Sequence, residues 1–297
     1  MNVMPDILCI GSVLWDMIGR APVAMRLGSD VPGRIARVPG GVAMNIAMTL
    51  ARFGLTPALL SAVGRDAQGD ELITAAISRG LITEFLYRSQ DLPTDRYMAI
   101  EGANGLIAAI ADAHSLEAAG AKILRPLHDG RLGNQKNPYA GLIALDGNLT
   151  TDLLREIATS QAFEAADLRV APASPGKAER LLPLLKHPRA TLYVNLEEAG
   201  LLCHQPFETS LEAAAALIAK GAHRVLVTDG GRAATKADAS DTISLTPPPV
   251  LVTKITGAGD TFMAAHIAAE AGGASGEAAL KAALNGAAAY ISGDLPL

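Results

Sequence analysis

Aromatic residues are scarce in this sequence, with five Phe, five Tyr and one Trp making up 4% of 297 residues. Proteins that hold single-stranded nucleic acid stack its bases on such rings, so that partner is not expected. Basic charge is also short. Twenty-five Lys and Arg stand against 30 Asp and Glu, a formal net charge of −5, and no basic stripe offers a track for a phosphate backbone. Cysteine is limited to Cys9 and Cys203, each in an apolar stretch, which reads as buried free thiols in a reducing compartment. No apolar run reaches the roughly 18 residues of a membrane span. The chain passes through Asp6 directly into the strand-like Ile7–Ile10, with no basic segment and cleavable apolar run before it. A cytoplasmic chain without membrane partners is the expectation.

Several motifs are missing too. No G-x-x-x-x-G-K-[ST] occurs, which excludes a P-loop kinase. The first strand leads into Gly11-Ser12-Val13-Leu14 rather than G-x-G-x-x-G, which argues against a dinucleotide oxidoreductase. The six histidines are scattered without metal-ligand spacing, so no zinc site is expected.

What is present is core. Hydrophobic residues make up 49% and charged residues 19%, the balance of an ordered α/β protein. Strand-like runs at Ile7–Ile10, Ala58–Val63, Gly141–Leu145, Leu168–Ala171, Thr191–Asn195 and Arg224–Thr228 alternate with helix-like segments. Those are Ala43–Phe53, Gly69–Arg79, Thr151–Ala165, Ala178–His187, Leu211–Lys220, Thr261–Ala271 and Gly276–Ile291. The alternation predicts a mostly parallel sheet covered by helices on both faces, with ligands at the C-terminal strand ends. Two stretches, about 13–38 and 94–112, lack helical periodicity and carry turn residues. They read as a small β-sheet standing off the main body as a lid, within one domain spanning 1–297.

Two segments carry chemistry. Thr256-Gly257-Ala258-Gly259-Asp260-Thr261-Phe262 runs straight into an apolar helix. Small residues admit close approach of a ligand, and the free N–H groups of a helix start attract phosphate. Asp260 at that point could take a proton from a hydroxyl, or could be an ordinary helix cap. Gly40-Gly41-Val42-Ala43-Met44-Asn45 likewise opens a helix. There Asn45 offers a donor and an acceptor suited to vicinal hydroxyls, or caps a tight turn. Asn195 and Glu198 follow a strand, where a water-coordinated Mg²⁺ could sit or a helix could be capped.

Together, in this order and near opposite ends of the chain, the two glycine motifs resemble the paired fingerprints of the ribokinase-like (phosphofructokinase-B type) family of carbohydrate and nucleoside kinases. The resemblance implies a Rossmann-like three-layer α/β/α fold with a β-sheet lid, ATP as donor and Mg²⁺ as metal. It implies Asp260 as catalytic base and Gly257, Ala258 and Gly259 as anion hole. Asp16, with Gly41 and Asn45 beside it, resembles the acid that binds acceptor hydroxyls. Asn195-Leu196-Glu197-Glu198 resembles the Asn-x-x-Glu motif that positions phosphates and metal. Thr228 and Gly230 resemble the nucleotide loop, and Asn285 a residue near the adenine. Lys254 stands where the family commonly has Asp, which puts potassium activation in doubt.

A finer resemblance concerns the acceptor. Thr94-Asp95-Arg96-Tyr97 through Ala109-Ile110-Ala111-Asp112, with Asp146-Gly147-Asn148, is similar to pseudouridine kinases. Gly102 and Ala113 depart from their pattern. This implies substrate contacts from Thr94, Tyr97 and Asp112, and transfer to a nucleoside 5′-hydroxyl. A sugar kinase and a non-catalytic sugar- or nucleoside-binding regulator on the same fold are the alternatives. The lid strands could pair two subunits, as relatives often do, or their edges could be guarded by charge.

Overall fold

The computed structural model describes residues 4–26, 28–253 and 256–294. β1 (Ile7–Ile10) begins the main sheet, and β2 (Leu14–Arg20) and β3 (Arg34–Gly40) leave it for a smaller one. α1 (Val42–Arg52) returns the chain to β4 (Pro57–Leu60). After β5 (Ala62–Gly64), α2 (Ala67–Ile77) and β6 (Tyr87–Ser89), the hairpin of β7 (Arg96–Gly102) and β8 (Gly105–Asp112) completes the small sheet. Next come α3 (His114–Ala119), a 3₁₀ stretch over Gly120–Leu127, β9 (Leu142–Asp146), α4 (Thr151–Thr159) and β10 (Asp167–Ala171). A second 3₁₀ stretch, Pro175–Leu184, precedes β11 (Ala190–Asn195), α5 (Leu196–Cys203) and α6 (Ser210–Ala219). The chain closes with β12 (Arg224–Thr228), β13 (Ala234–Asp238), β14 (Thr242–Leu245), α7 (Ala258–Ala271) and α8 (Gly276–Ser292).

The main sheet has eight strands in the order β14-β13-β12-β11-β10-β9-β1-β4. It is parallel from β4 to β12 and antiparallel beyond. The short apolar runs seen in the sequence exist because both faces are covered. Leu8, Ile10, Leu145 and Val170 pack with Leu154, Leu202 and Leu217 on one side. Ile7, Cys9, Leu59 and Leu226 pack with Met44, Leu72, Met263 and Leu280 on the other. That is the expected three-layer ribokinase-like arrangement, with β3-β2-β7-β8 as the smaller sheet. Cys9 and Cys203 are free and buried, and no helix among the described residues is long and apolar enough to cross a membrane.

Local departures have local causes. The expected strand Ala58–Val63 breaks at Ser61, whose hydroxyl donates to Gly11 O at 2.5 Å. The expected helix Ala178–His187 is a 3₁₀ stretch with Pro183 inside it, which lacks an N–H for a longer α-helix. The expected helix Thr151–Ala165 stops at Thr159, because Ser160 turns extended. The β13–β14 hairpin and α3 are too short, at four to six residues each, to show a period in the sequence.

The C-terminal strand ends are gathered by one carboxylate. Asp146, fully buried at the end of β9, accepts N–H bonds from Ser12 (2.8 Å), Ala43 (3.0 Å) and Asn148 (2.8 Å). Gly11 has to be glycine here, since at φ 150° its Cβ would lie 2.3 Å from the Asp146 carboxylate. Gly41, with φ 90°, leaves no room either, because its Cβ would meet Ser12 O at 2.5 Å. Asp146→Ala orphans three N–H groups and should lower unfolding free energy by about 3 kcal/mol, read by urea denaturation. Unchanged stability would show that these bonds are replaced by water at no cost.

Candidate active site

A cavity of about 670 Å³ opens at the C-terminal ends of β9 to β12 and beneath the small sheet. It is lined by Asp16 and Tyr97 from that sheet, Gly41 and Asn45 from the start of α1, and Asn195, Glu198 and Thr228 from the strand ends. Gly257, Ala258, Gly259 and Asp260 line it from the start of α7. Eleven of the residues singled out in the sequence thus meet in one space.

The start of α7 has the kind of backbone that attracts anions. Gly257 is the N-cap with φ 89°, and no side chain caps the helix. The first intrahelical bond runs from Thr261 N to Gly257 O at 3.0 Å, so the amides before it have no helix partner, and none has another partner among the described residues. Tyr290 of α8 steadies this loop by donating to Thr256 O at 2.7 Å. A Cβ at Gly257 would strike the Tyr290 hydroxyl at 2.6 Å.

Asp260 receives a hydrogen bond from Asn45 Nδ2 at 3.0 Å, which joins the two glycine motifs directly. The contact makes Asn45 a partner of the acid as well as a lining residue. Asp260 keeps some solvent contact through the cavity mouth, yet protein surrounds the carboxyl closely enough to disfavour its charge. Burial pushes its pKa up to about 7, the nearby carboxylates Asp146, Asp16 and Glu198 add to the rise, and the Asn45 bond opposes it. Asp16 is raised to about 6 by burial. Gly40 makes space for it, because a Cβ there would overlap the Asp16 carboxylate.

Asn195 and Glu198 form a reciprocal capping box on α5. Asn195 Oδ1 accepts from Glu198 N at 2.8 Å and Glu198 Oε2 accepts from Asn195 N at 2.9 Å. The pair therefore caps a helix and also lines the cavity. Glu198 Oε1 has no hydrogen bond among the described residues, and burial raises the pKa of the group.

Four singled-out residues lie elsewhere. Thr94 is buried, with its hydroxyl and N–H bonded to Asp66 at 2.6 and 2.8 Å. Asp112 pairs with His114 at 3.0 Å outside the cavity, because strand alternation sends it to the face opposite Ala111. Asn285 is on the exposed side of α8, whose Ala283, Leu284 and Ala288 face inward. Gly230 lines a neighbouring cavity of about 740 Å³ that shares Asn195 and Thr228 with the first. Lys254 lies outside the described residues.

The cavity also contains Ser174 and Lys177, which no motif marked. Their position just past the end of β10 was the available signal, because residues following parallel strands face the ligand crevice. Tyr193 lines the cavity too, and its hydroxyl contacts His266 Nδ1 at 2.9 Å and Arg169 at 3.2 Å. Behind it Glu270 of α7 pairs with Arg169 and Arg224. Burial lowers the pKa of His266 to about 4, so it is neutral at ordinary pH.

The sequence profile described as pfkB family carbohydrate kinase matches residues 4–293. A pseudouridine kinase of Escherichia coli (strain K12) is 28% identical over 263 residues, covering 87% of this chain and 81% of that protein. A solved carbohydrate kinase from Agrobacterium tumefaciens superposes with a TM-score of 0.81 at 26% identity, over 98% of this chain and 94% of that one. The structure of Arabidopsis thaliana ribokinase complexed with ribose and ATP has a TM-score of 0.77 at 20% identity, over 99% and 94%.

The buried acid should leave a mark on stability. Asp260 has a folded pKa of about 7 against 3.8 unfolded, so the folded state binds the extra proton and stability from this group falls as pH rises between those values. Asp260→Asn should therefore gain on the wild type by about 2 kcal/mol at pH 8, allowing for the solvent contact, with the gain vanishing below pH 4. Denaturation across pH checks this, and a pH-independent difference would contradict the raised pKa.

Proposed function

The chain belongs to the pfkB family of carbohydrate kinases, phosphotransferases with an alcohol group as acceptor, and from that premise we propose that it phosphorylates the 5′-hydroxyl of a nucleoside, pseudouridine. The observation that carries the proposal is the Asn45–Asp260 contact at the uncapped start of α7. It joins a carboxyl poised near neutrality to a row of free amides, inside a cavity that also holds Asp16. The choice of acceptor rests on the likeness to the Escherichia coli pseudouridine kinase and on the lid and strand-end segments. The match over residues 4–293 supports reading the chain as one kinase domain with the small sheet as its lid.

In this reading ATP is the donor substrate, and Mg²⁺, when bound, supplies positive charge beside the phosphates. Glu198 has one carboxylate oxygen unspent on the capping box, which fits a metal held through water. Asn195, Thr228 and Gly230 serve the nucleotide. Asp16, Gly41, Asn45 and Tyr97 hold the acceptor. Thr94 and Asp112 act only indirectly, and Asn285 is given no contact. Asp260 takes the proton of the acceptor hydroxyl as its oxygen bonds to the γ-phosphorus and the bond from that phosphorus to ADP breaks. The amides over Gly257–Gly259 and Asp260 hold the charge on the transferring group. A base with pKa near the working pH combines ready ionisation with useful basicity.

The lid is also read as the contact between two subunits. β8 is an edge strand of the small sheet, exposed at every residue except Ile107, and Asp112 is its single charge. Met98 and Ile110 are paired on one face of it and are 50% and 69% exposed. Such an edge invites strand pairing with another copy. Ile110→Lys should convert a dimer to a monomer in light scattering, and a wild type that is already monomeric would remove this part of the reading.

ADP release with Mg-ATP should be acceptor-dependent and faster with pseudouridine than with uridine, adenosine, ribose, fructose or 2-keto-3-deoxygluconate. Turnover confined to a free sugar would keep the kinase and discard the nucleoside. ATP consumption that no acceptor increases would point to a binding protein. Asp260→Asn should lower kcat by about 10² or more with acceptor KM little changed. In the wild type kcat/KM should fall about tenfold per pH unit below about 7. Near-normal turnover in Asp260→Asn would sink the base assignment.

A further inference from the structure

The two ends of the acceptor half of the cavity have opposite hydrogen-bonding character. Around β2 and α7 stand the carboxyl groups of Asp16 and Asp260, which accept from hydroxyls. Past the ends of β9 and β10 stand Asn148, Ser174 and Lys177, where donors predominate. Lys177 is half-buried and donates to Asn148 Oδ1. That is the single hydrogen bond of its ammonium group among the described residues, and it has no carboxylate in salt-bridge contact there. Two of its three donors are therefore left for something in the cavity. The Ser174 hydroxyl makes no cap bond to its own 3₁₀ stretch and has no protein partner among the described residues.

These donors are held rather than loose. Asn148 N is bonded to Asp146, and Gly147 N donates to Ala171 O at 2.8 Å. A Cβ at Gly147 would meet Pro172 O at 2.2 Å, so the two strand-end loops are in direct contact. Between them Ala173 has φ 72°, a left-handed conformation that a residue with a Cβ adopts only when its surroundings impose it. Lys177 N then donates to Ser174 O at 2.9 Å and closes the turn that carries both side chains. The lid adds Tyr97, Ala111 and Ala113 to the same cavity, an aromatic ring and two small apolar surfaces suited to the faces of a flat heterocycle.

We propose that Lys177 and Ser174 form a donor subsite that reads a ring carbonyl oxygen of the acceptor base, while Asp16 and Asp260 hold its ribose hydroxyls. This rests on the nucleoside reading above and adds to it the means by which the base is recognised. A pyrimidinedione carries acceptor-only carbonyl oxygens at a fixed distance from its ribose, and a free sugar has no such group. An unfilled ammonium would then be left facing the cavity, so discrimination comes from the donors that a wrong ligand fails to satisfy.

The test compares wild type, Lys177→Gln and Ser174→Ala in steady-state kinetics with pseudouridine and with an analogue that has an amino group in place of one ring carbonyl. Thermal melting serves as the control for folding. Lys177→Gln should raise KM for pseudouridine about 30-fold with KM for Mg-ATP unchanged, as expected for loss of a charge-assisted hydrogen bond. The wild-type preference for pseudouridine over the amino analogue should shrink in the same variant. Ser174→Ala, which leaves the lysine in place, should move KM in the same direction by a smaller factor. An unchanged KM for pseudouridine in both folded variants would overturn the subsite and leave the nucleoside reading intact. A rise confined to KM for Mg-ATP would assign Lys177 to the phosphates and overturn it as well. No turnover of pseudouridine by the wild type would overturn both.

Discussion

The arrangement depends on a carboxylate that never reaches the cavity. Asp146 collects amides from the loop after β1, the start of α1 and its own strand end. Three segments distant in sequence are thereby held at fixed relative positions, and each contributes to the lining. The loop after β1 feeds Asp16 into β2, α1 carries Asn45, and the β9 end carries Asn148. Burial raises the pKa of Asp146 while its three amide bonds oppose the rise. Its closeness in turn raises Asp260. Asp146 thus fixes the segment that carries Asn45, while burial, helped by Asp146 and the other nearby carboxylates, raises the acid that Asn45 contacts.

α7 combines a demanding front with a secured rear. Its first turn has an acid held near neutrality and amides without partners, both of which cost stability in the free protein. Its last turn is pinned by Glu270 between Arg169 of β10 and Arg224 of β12, with His266 neutral beside Tyr193. Since buried charges are tolerated only when paired, this cluster locks helix register against the sheet. The packed apolar face of Phe262, Met263 and Ile267 completes the hold.

The small sheet shows the same contrast between root and tip. At its root, Trp15 donates to Gln68 O at 2.9 Å and Arg37 lies 4.2 Å over the Trp15 ring. Asp95, next to β7, receives Ser115 N and Leu116 N, each at 3.0 Å. Thr94 belongs to this root, where Asp66 occupies both of its polar groups. The outer strand β8 has no such anchors and is exposed along most of its length.

The layered fold was legible in the sequence because runs such as Ile7–Ile10 are buried on both faces and must be apolar throughout. The two glycine motifs were legible for a local reason. Gly41 and Gly257 adopt positive φ against close neighbours, and local backbone conformation is written in local residues. Asn195 and Glu198 stood out for the same reason, as a capping box three residues apart. Nothing local could reveal that Asn45 would bond to Asp260 across 215 positions, or that Tyr290 would steady Thr256. Nor could it say that Thr94 would be spent on Asp66, or that Asp112 would fall on the far face of β8 while Tyr97 faces inward. Lys177 had no motif at all, and it joins the cavity only because β9 and β10 end side by side. The residues alone determined which segments could approach a ligand. Which side chains face it was decided by strand register and helix packing, because contacts between distant segments depend on how the whole chain closes around its core.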